Sequence, residues 1–93
     1  MILEIVSPEA TLFSGEVTSV AVPGINGEFQ MLNNHAAIVS LLTKGNVKIN
    51  AQNITIEKEH ISKFTKVNEQ TFWLPIKSGT IEMNNNKVIV LAD

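Results

Sequence analysis

The sequence predicts an all-β protein, a small β-sandwich or flattened barrel of about 8 to 10 short strands. Three observations carry that expectation. Short apolar runs alternate with a period of two and are punctuated by Pro, Gly, Asn and Ser. Amphipathic helical periodicity is scarce. The 93 residues contain no linker and no repeat of fixed period, so they form one domain around one core.

Taken in order, Ile2 to Val6 is the first strand, closed by Ser7-Pro8. Gly15 opens a second run, "EVTSVAV", in which Val17, Ser19 and Ala21 face one way and Thr18, Val20 and Val22 the other. Val20 and Val22 are the core candidates. Pro23-Gly24 is expected to stop that strand, because proline has no amide donor and glycine accepts a turn conformation. Next comes "PGINGEFQMLNNHAA", residues 23 to 37, where Phe29, Met31 and Leu32 stand among turn formers between Glu28 and His35. Two readings of this stretch stand. Either its apolar side chains are exposed for a partner, or Phe29 and Met31 point inward from a third strand, leaving Gln30 and Leu32 outside.

"AIVSLL" continues the β pattern, and in "GNVKINAQNITIE" Val47, Ile49, Ile54 and Ile56 suggest two strands joined through Asn50 to Asn53, a hairpin. Residues 57 to 71 are the most polar; Ile61, Phe64 and Val67 fit a short helix, and Phe64 alone fits a sheet edge. "FWLPI" alternates through Phe72, Leu74 and Ile76, with Pro75 marking an edge strand or strand end. "GTIEM" and "KVIVLAD" flank Asn84-Asn85-Asn86, whose tolerance of left-handed dihedrals predicts a tight hairpin. Val88 to Leu91, apolar on both faces, should be a central strand.

Composition narrows function. A hydrophobic content of 44%, a charged content of 17% and a mean hydropathy of +0.15 describe a folded protein rather than a disordered one. The net charge is −2, and all seven basic residues are lysines. Without the guanidinium fork that reads guanine or clamps phosphate, nucleic acid is not an expected partner. With no cysteine, disulfides and thiolate metal sites are excluded. Glu4 interrupts the apolar start and no basic segment precedes it, so a signal peptide is not expected. No uncharged apolar run approaches the roughly 20 residues of a membrane-spanning helix.

No enzymatic constellation emerges. Glu57, Glu59, His60 and His35 could be imagined around a metal, but in an extended chain Glu57 and Glu59 share one face while His60 takes the other. Solvated edge residues are the expectation. "SPE", residues 7 to 9, reads as a turn or helix cap, and Ser14-Gly15 lacks the glycine that would make a nucleophile elbow. Gly24 and Gly27 are followed by Glu28, which repels phosphate. No catalytic residue, metal, cofactor or small-molecule substrate is assigned. Adhesion to another protein remains.

At this point the residues carry a resemblance. "SPEATLFSGEVTSVAVPGINGEFQMLNNHAAIVSLLTKGNVKI", with "IKSGTIEMNNNKVIVLAD" at the end, is similar to the N-terminal β-sandwich domain of the epsilon subunits of F-type (rotary) ATP synthases. The specific pieces are Ser7-Pro8-Glu9 ahead of Phe13-Ser14-Gly15-Glu16, the Pro23-Gly24…Gly27-Glu28 loop followed by His35-Ala36, and the closing Val88 to Asp93. The resemblance covers the whole chain, 1–93. It implies a non-catalytic subunit of the central rotor that joins the gamma shaft to the c-ring and couples proton flow to ATP synthesis. Glu28, Phe29, Gln30, Met31 and Leu32 would face the c-ring, and His35, Ala36 and Ile38 the gamma subunit. Such a subunit sits peripherally at the cytoplasmic face of a bacterial inner membrane, attached through the complex.

The chain departs from the family in three places. Leu32-Asn33-Asn34-His35-Ala36-Ala37 lacks the family's two prolines, which predicts a less rigid loop. Residues 50 to 73 are longer and more polar than the family pattern, and no site is carried over onto them. The family's C-terminal helix pair, seat of its inhibitory switch and of an ATP site in some members, has no counterpart up to Asp93, so neither property is expected of these residues. Outside the resemblance, the chain would read as a small β-sandwich module binding protein or carbohydrate. Trp73, the single tryptophan in a chain without tyrosine, is a thin platform for a sugar.

Overall fold

Period-two alternation becomes two inner faces that meet across a common core. The computed structural model describes residues 1–93 as ten strands: β1 (Ile2–Val6), β2 (Thr11–Glu16), β3 (Ser19–Gly24), β4 (Gly27–Leu32), β5 (Ile38–Leu42), β6 (Gly45–Asn50), β7 (Thr65–Asn68), β8 (Thr71–Ile76), β9 (Gly79–Asn84) and β10 (Lys87–Ala92). The only helical element is a 3-10 turn, Ile61–Lys63. The strands form two halves, β2-β1-β10-β9-β5 and β4-β3-β6-β8-β7, whose strand ladders join at the single pair Gly24–Leu42. This is the expected sandwich, curled along one corner. Leu3, Ile5, Ile81, Met83, Val88 and Val90 from one half oppose Val20, Val22, Met31, Val47 and Ile49 from the other, all essentially without solvent contact.

Several expected elements hold. β1 has the predicted bounds, Val20 and Val22 are core, and β10 is central, parallel to β1 and antiparallel to β9. The β9–β10 turn places Asn85 at φ 51° and Asn86 at φ 61°, two successive left-handed residues, as a two-residue type I′ hairpin requires. Ser7 closes its turn through its hydroxyl, which takes the Ala10 N–H at 3.3 Å, and through its own N–H to the Ala10 carbonyl at 2.8 Å.

Four expectations are corrected. A strand absent from the reading, β2, has Leu12 as an extra residue between the pairs Val6–Thr11 and Ile5–Phe13. This bulge turns the consecutive Leu12 and Phe13 both inward and erases the alternation that would have revealed the strand. The run from Glu16 to Val22 is not one strand, because Val17 and Thr18 form the corner at which the chain changes halves. Their amides donate to Met1 O at 2.9 Å and Asn50 O at 2.7 Å.

Pro23-Gly24 does not end β3. The β6 ladder stops at Ala21 and the β5 pair begins at Gly24, so Pro23 falls where neither needs its missing donor. The true turn is Ile25-Asn26, with Gly27 at φ +114°. Finally, Ile54 and Ile56 form no strand and no hairpin with β6, which pairs with β3 and β8. They lean on the core from an irregular segment. The ambiguous stretch 57 to 71 resolves into the 3-10 turn, a buried Phe64 and the exposed edge strand β7. β7 pairs with β8 only as far as Trp73, so Pro75 is on a locally open edge, as its lack of a donor demands.

Candidate interaction surface

β4 is laid against β3 in the register Val22–Phe29 and Val20–Met31, which fixes the direction of every side chain in the loop region. Met31 is 0% exposed and Phe29 packs half-buried on the core. These two are therefore corrected as surface residues: of the five positions expected toward a c-ring, only Glu28, Gln30 and Leu32 look outward. Leu32, 55% exposed, is the large apolar side chain among them. The tight approach of β4 to β3 also explains Gly24, since a Cβ there would lie 2.7 Å from the Phe29 ring and 2.8 Å from the Gly27 carbonyl.

Glu28 is not a free charge. Its carboxylate meets Lys48 Nζ of β6 at 3.0 Å, and the same ammonium lies 4.5 Å from the centroid of Trp73 on β8. With both partners partly exposed, the ion pair is a weak contact of about 1 kcal/mol or less. Lys48 also covers the Trp73 face, which removes the flat aromatic platform that a sugar-binding reading needs.

Residues 33 to 37 connect β4 to β5. The His35 N–H donates to Leu32 O at 3.1 Å, closing a turn with Asn34 at φ 63° in its third position. Asn34 N–H donates to Asn86 Oδ1 at 2.8 Å, and Asn86 Nδ2 donates to Asn33 Oδ1 at 2.9 Å. His35 is exposed and its Nδ1 lies 2.8 Å from the Ala36 carbonyl. Because a carbonyl only accepts, Nδ1 carries the proton and Nε2 remains open to a partner. Ala36 is also exposed.

Ile38, expected toward the gamma subunit, is half-buried and leans on the core. Its neighbours Val39 and Leu41, 77% and 61% exposed, take the outward face instead. Leu41 shares a shallow depression with Ile25, Leu91 and Lys77. Val39 and Leu41 escaped the sequence reading although the i, i+2 rule applied to "AIVSLL" contained the signal. Choosing the inward phase for Ile38 makes the other two outward.

Glu57, Glu59 and His60 do come together, with one ligand atom of each within 4.8 Å of the others. Opposite faces were expected from an extended chain, but the backbone turns here, with His60 N–H donating to Glu57 O at 2.9 Å. His35 is not in this group. Both carboxylates are exposed, where water satisfies them. Asp93 is subject to desolvation, which raises its pKa. The Ser78 and Lys77 backbone N–H donors and the Lys77 charge outweigh that effect and hold the carboxyl below its usual value.

Comparison with known proteins gives a consistent family. The family described as "ATP synthase, Delta/Epsilon chain, beta-sandwich domain" matches residues 1–63. The ATP synthase epsilon chain of Helicobacter pylori (strain P12) is 36% identical over 91 residues, covering 98% of this chain and 61% of that protein. This chain thus spans less than two thirds of that relative's length. Among solved structures, a chain of the Euglena gracilis mitochondrial ATP synthase, an OSCP/F1/c-ring assembly, superposes with a TM-score of 0.77 at 16% identity, over 99% of this chain and 49% of that one. A chain of the Tetrahymena thermophila mitochondrial ATP synthase central stalk and c-ring gives 0.67 at 14% identity, over 98% and 61%. At these identities the structural likeness is one of fold.

Proposed function

The chain belongs to the ATP synthase delta/epsilon-chain family, and from that membership we propose that it is a non-catalytic central-stalk subunit joining the gamma shaft to the c-ring and coupling proton flow to ATP synthesis. It works at the cytoplasmic face of a bacterial inner membrane, held there through the complex. The observation that carries this reading is the position of the exposed apolar side chains. Leu32 on β4 and Val39 and Leu41 on β5 flank the 33–37 loop within ten residues of chain. A soluble domain gains nothing from three such side chains in water, and a rotor partner would cover them.

The shaft contact is the loop at His35 and Ala36 together with Val39 and Leu41; the c-ring contact is Leu32 with Gln30 and the rim charge of Glu28. Phe29, Met31 and Ile38 act beneath this surface, as the anchors that hold β4 and β5 flat against the core.

The test is binding of the chain to an isolated rotor, gamma plus c-ring, stripped of its own epsilon subunit. A stable one-to-one complex that restores coupled proton pumping is expected. Failure to bind, or binding without any effect on coupling, would reject the reading.

A further inference from the structure

The loop that lacks the family's prolines is held by something else. Asn86, on the β9–β10 turn and more than fifty residues away in sequence, takes the Asn34 N–H on Oδ1 at 2.8 Å and gives Nδ2 to Asn33 Oδ1 at 2.9 Å. Its backbone carbonyl accepts the Ile2 N–H at 3.1 Å. One residue therefore fixes the β1 start, the hairpin turn and the 33–37 loop relative to one another. A turn that needed only left-handed dihedrals would be served as well by glycine. Asn86 meets the same backbone demand, φ 61°, and adds a side chain that bonds both central residues of the neighbouring turn.

We propose that Asn86 is a positioning residue for partner docking, a side-chain clamp that holds the Asn33–Ala37 loop in its binding-ready shape. This rests on the assignment of the loop to the shaft contact. Proline stiffens a loop by limiting its free conformations; a clamp does the same by tying the folded loop to a rigid hairpin. A loop ordered before docking does not lose that freedom on docking, so affinity rises without a new contact.

The variants Asn86→Gly and Asn86→Asp separate the side chain from the backbone. Glycine keeps the left-handed turn and removes both hydrogen bonds; aspartate keeps the acceptor for Asn34 and removes the donor to Asn33. Amide hydrogen exchange at Asn34 reads the clamp with no partner present. Asn86→Gly is expected to speed that exchange by about three- to tenfold, the scale of one neutral hydrogen bond, while thermal unfolding moves by a few degrees at most. Asn86→Asp is expected to return the slow exchange. Binding to the isolated gamma subunit should weaken by a similar factor, about three- to tenfold, in Asn86→Gly and recover in Asn86→Asp. Unchanged Asn34 exchange in Asn86→Gly, or faster exchange with unchanged binding, would overturn the inference. A parent chain that does not bind gamma, alongside the expected exchange contrast, would instead strike at the functional assignment and leave the clamp standing.

Discussion

Met31 and Leu32 are sequence neighbours with opposite fates, and the difference is set by a one-residue step along β4. Met31 is sealed in the core and Leu32 is more than half exposed. Met31→Ala should cost about 2 to 5 kcal/mol of stability through lost burial and a residual cavity. Leu32→Ala should stay within about 0.5 kcal/mol, the range of surface changes, yet lower coupling in reconstituted membranes. Chemical denaturation of the two variants checks the contrast; equal costs would mean that Leu32 is core. Glu28→Ala should affect coupling less than Leu32→Ala, because Glu28 is already paired with Lys48. Asp93 gives a pH signature. Its pKa is lowered in the folded chain, so its contribution is present above the unfolded value of 3.8 and is lost as pH falls through the lower folded value. The melting temperatures of Asp93→Asn and the parent should thus differ at neutral pH and converge as the pH falls through the lowered folded value.

At the scale of elements, legibility followed alternation. β8 and β9 alternate along their length, β1 and β10 are apolar runs bounded by turn residues, and the Asn84-Asn85-Asn86 turn announces itself through residues that tolerate left-handed backbone. β2 was hidden by its bulge at Leu12, and the β2–β3 corner by Val17, which is buried although it lies in no strand. Pro23 misled because a missing donor matters only where a ladder needs it, and which ladders flank β3 is a long-range fact. Ile54 and Ile56 misled in the opposite sense, alternating as a strand would while packing on the core without a partner. The candidate surface was legible as a region and not as a set of side chains, since a run of residues does not state which phase faces in. Gly24 offers a test at this scale. Gly24→Ala should destabilise by about 1 to 3 kcal/mol, because its Cβ would strike the Phe29 ring and the Gly27 carbonyl. No loss on denaturation would mean that β3 and β4 are less closely joined than described.

For the whole molecule, the two halves share one core, and three of the large apolar side chains left outside, Leu32, Val39 and Leu41, lie on the two strands that the 33–37 loop connects. On the proposed function, folding and docking draw on opposite phases of the same strands: Phe29, Met31 and Ile38 turn inward, and Leu32, Val39 and Leu41 outward. Such an arrangement permits a surface change that leaves the fold intact. The most direct measurement is calorimetric binding of the double variant Val39→Ser, Leu41→Ser to the isolated gamma subunit, beside its thermal unfolding. The expected result is affinity reduced by about tenfold or more, as for removal of interface anchors, with unfolding shifted by only a few degrees. Undiminished affinity in a variant that still folds would contradict the claim that this outward face is where the rotor docks.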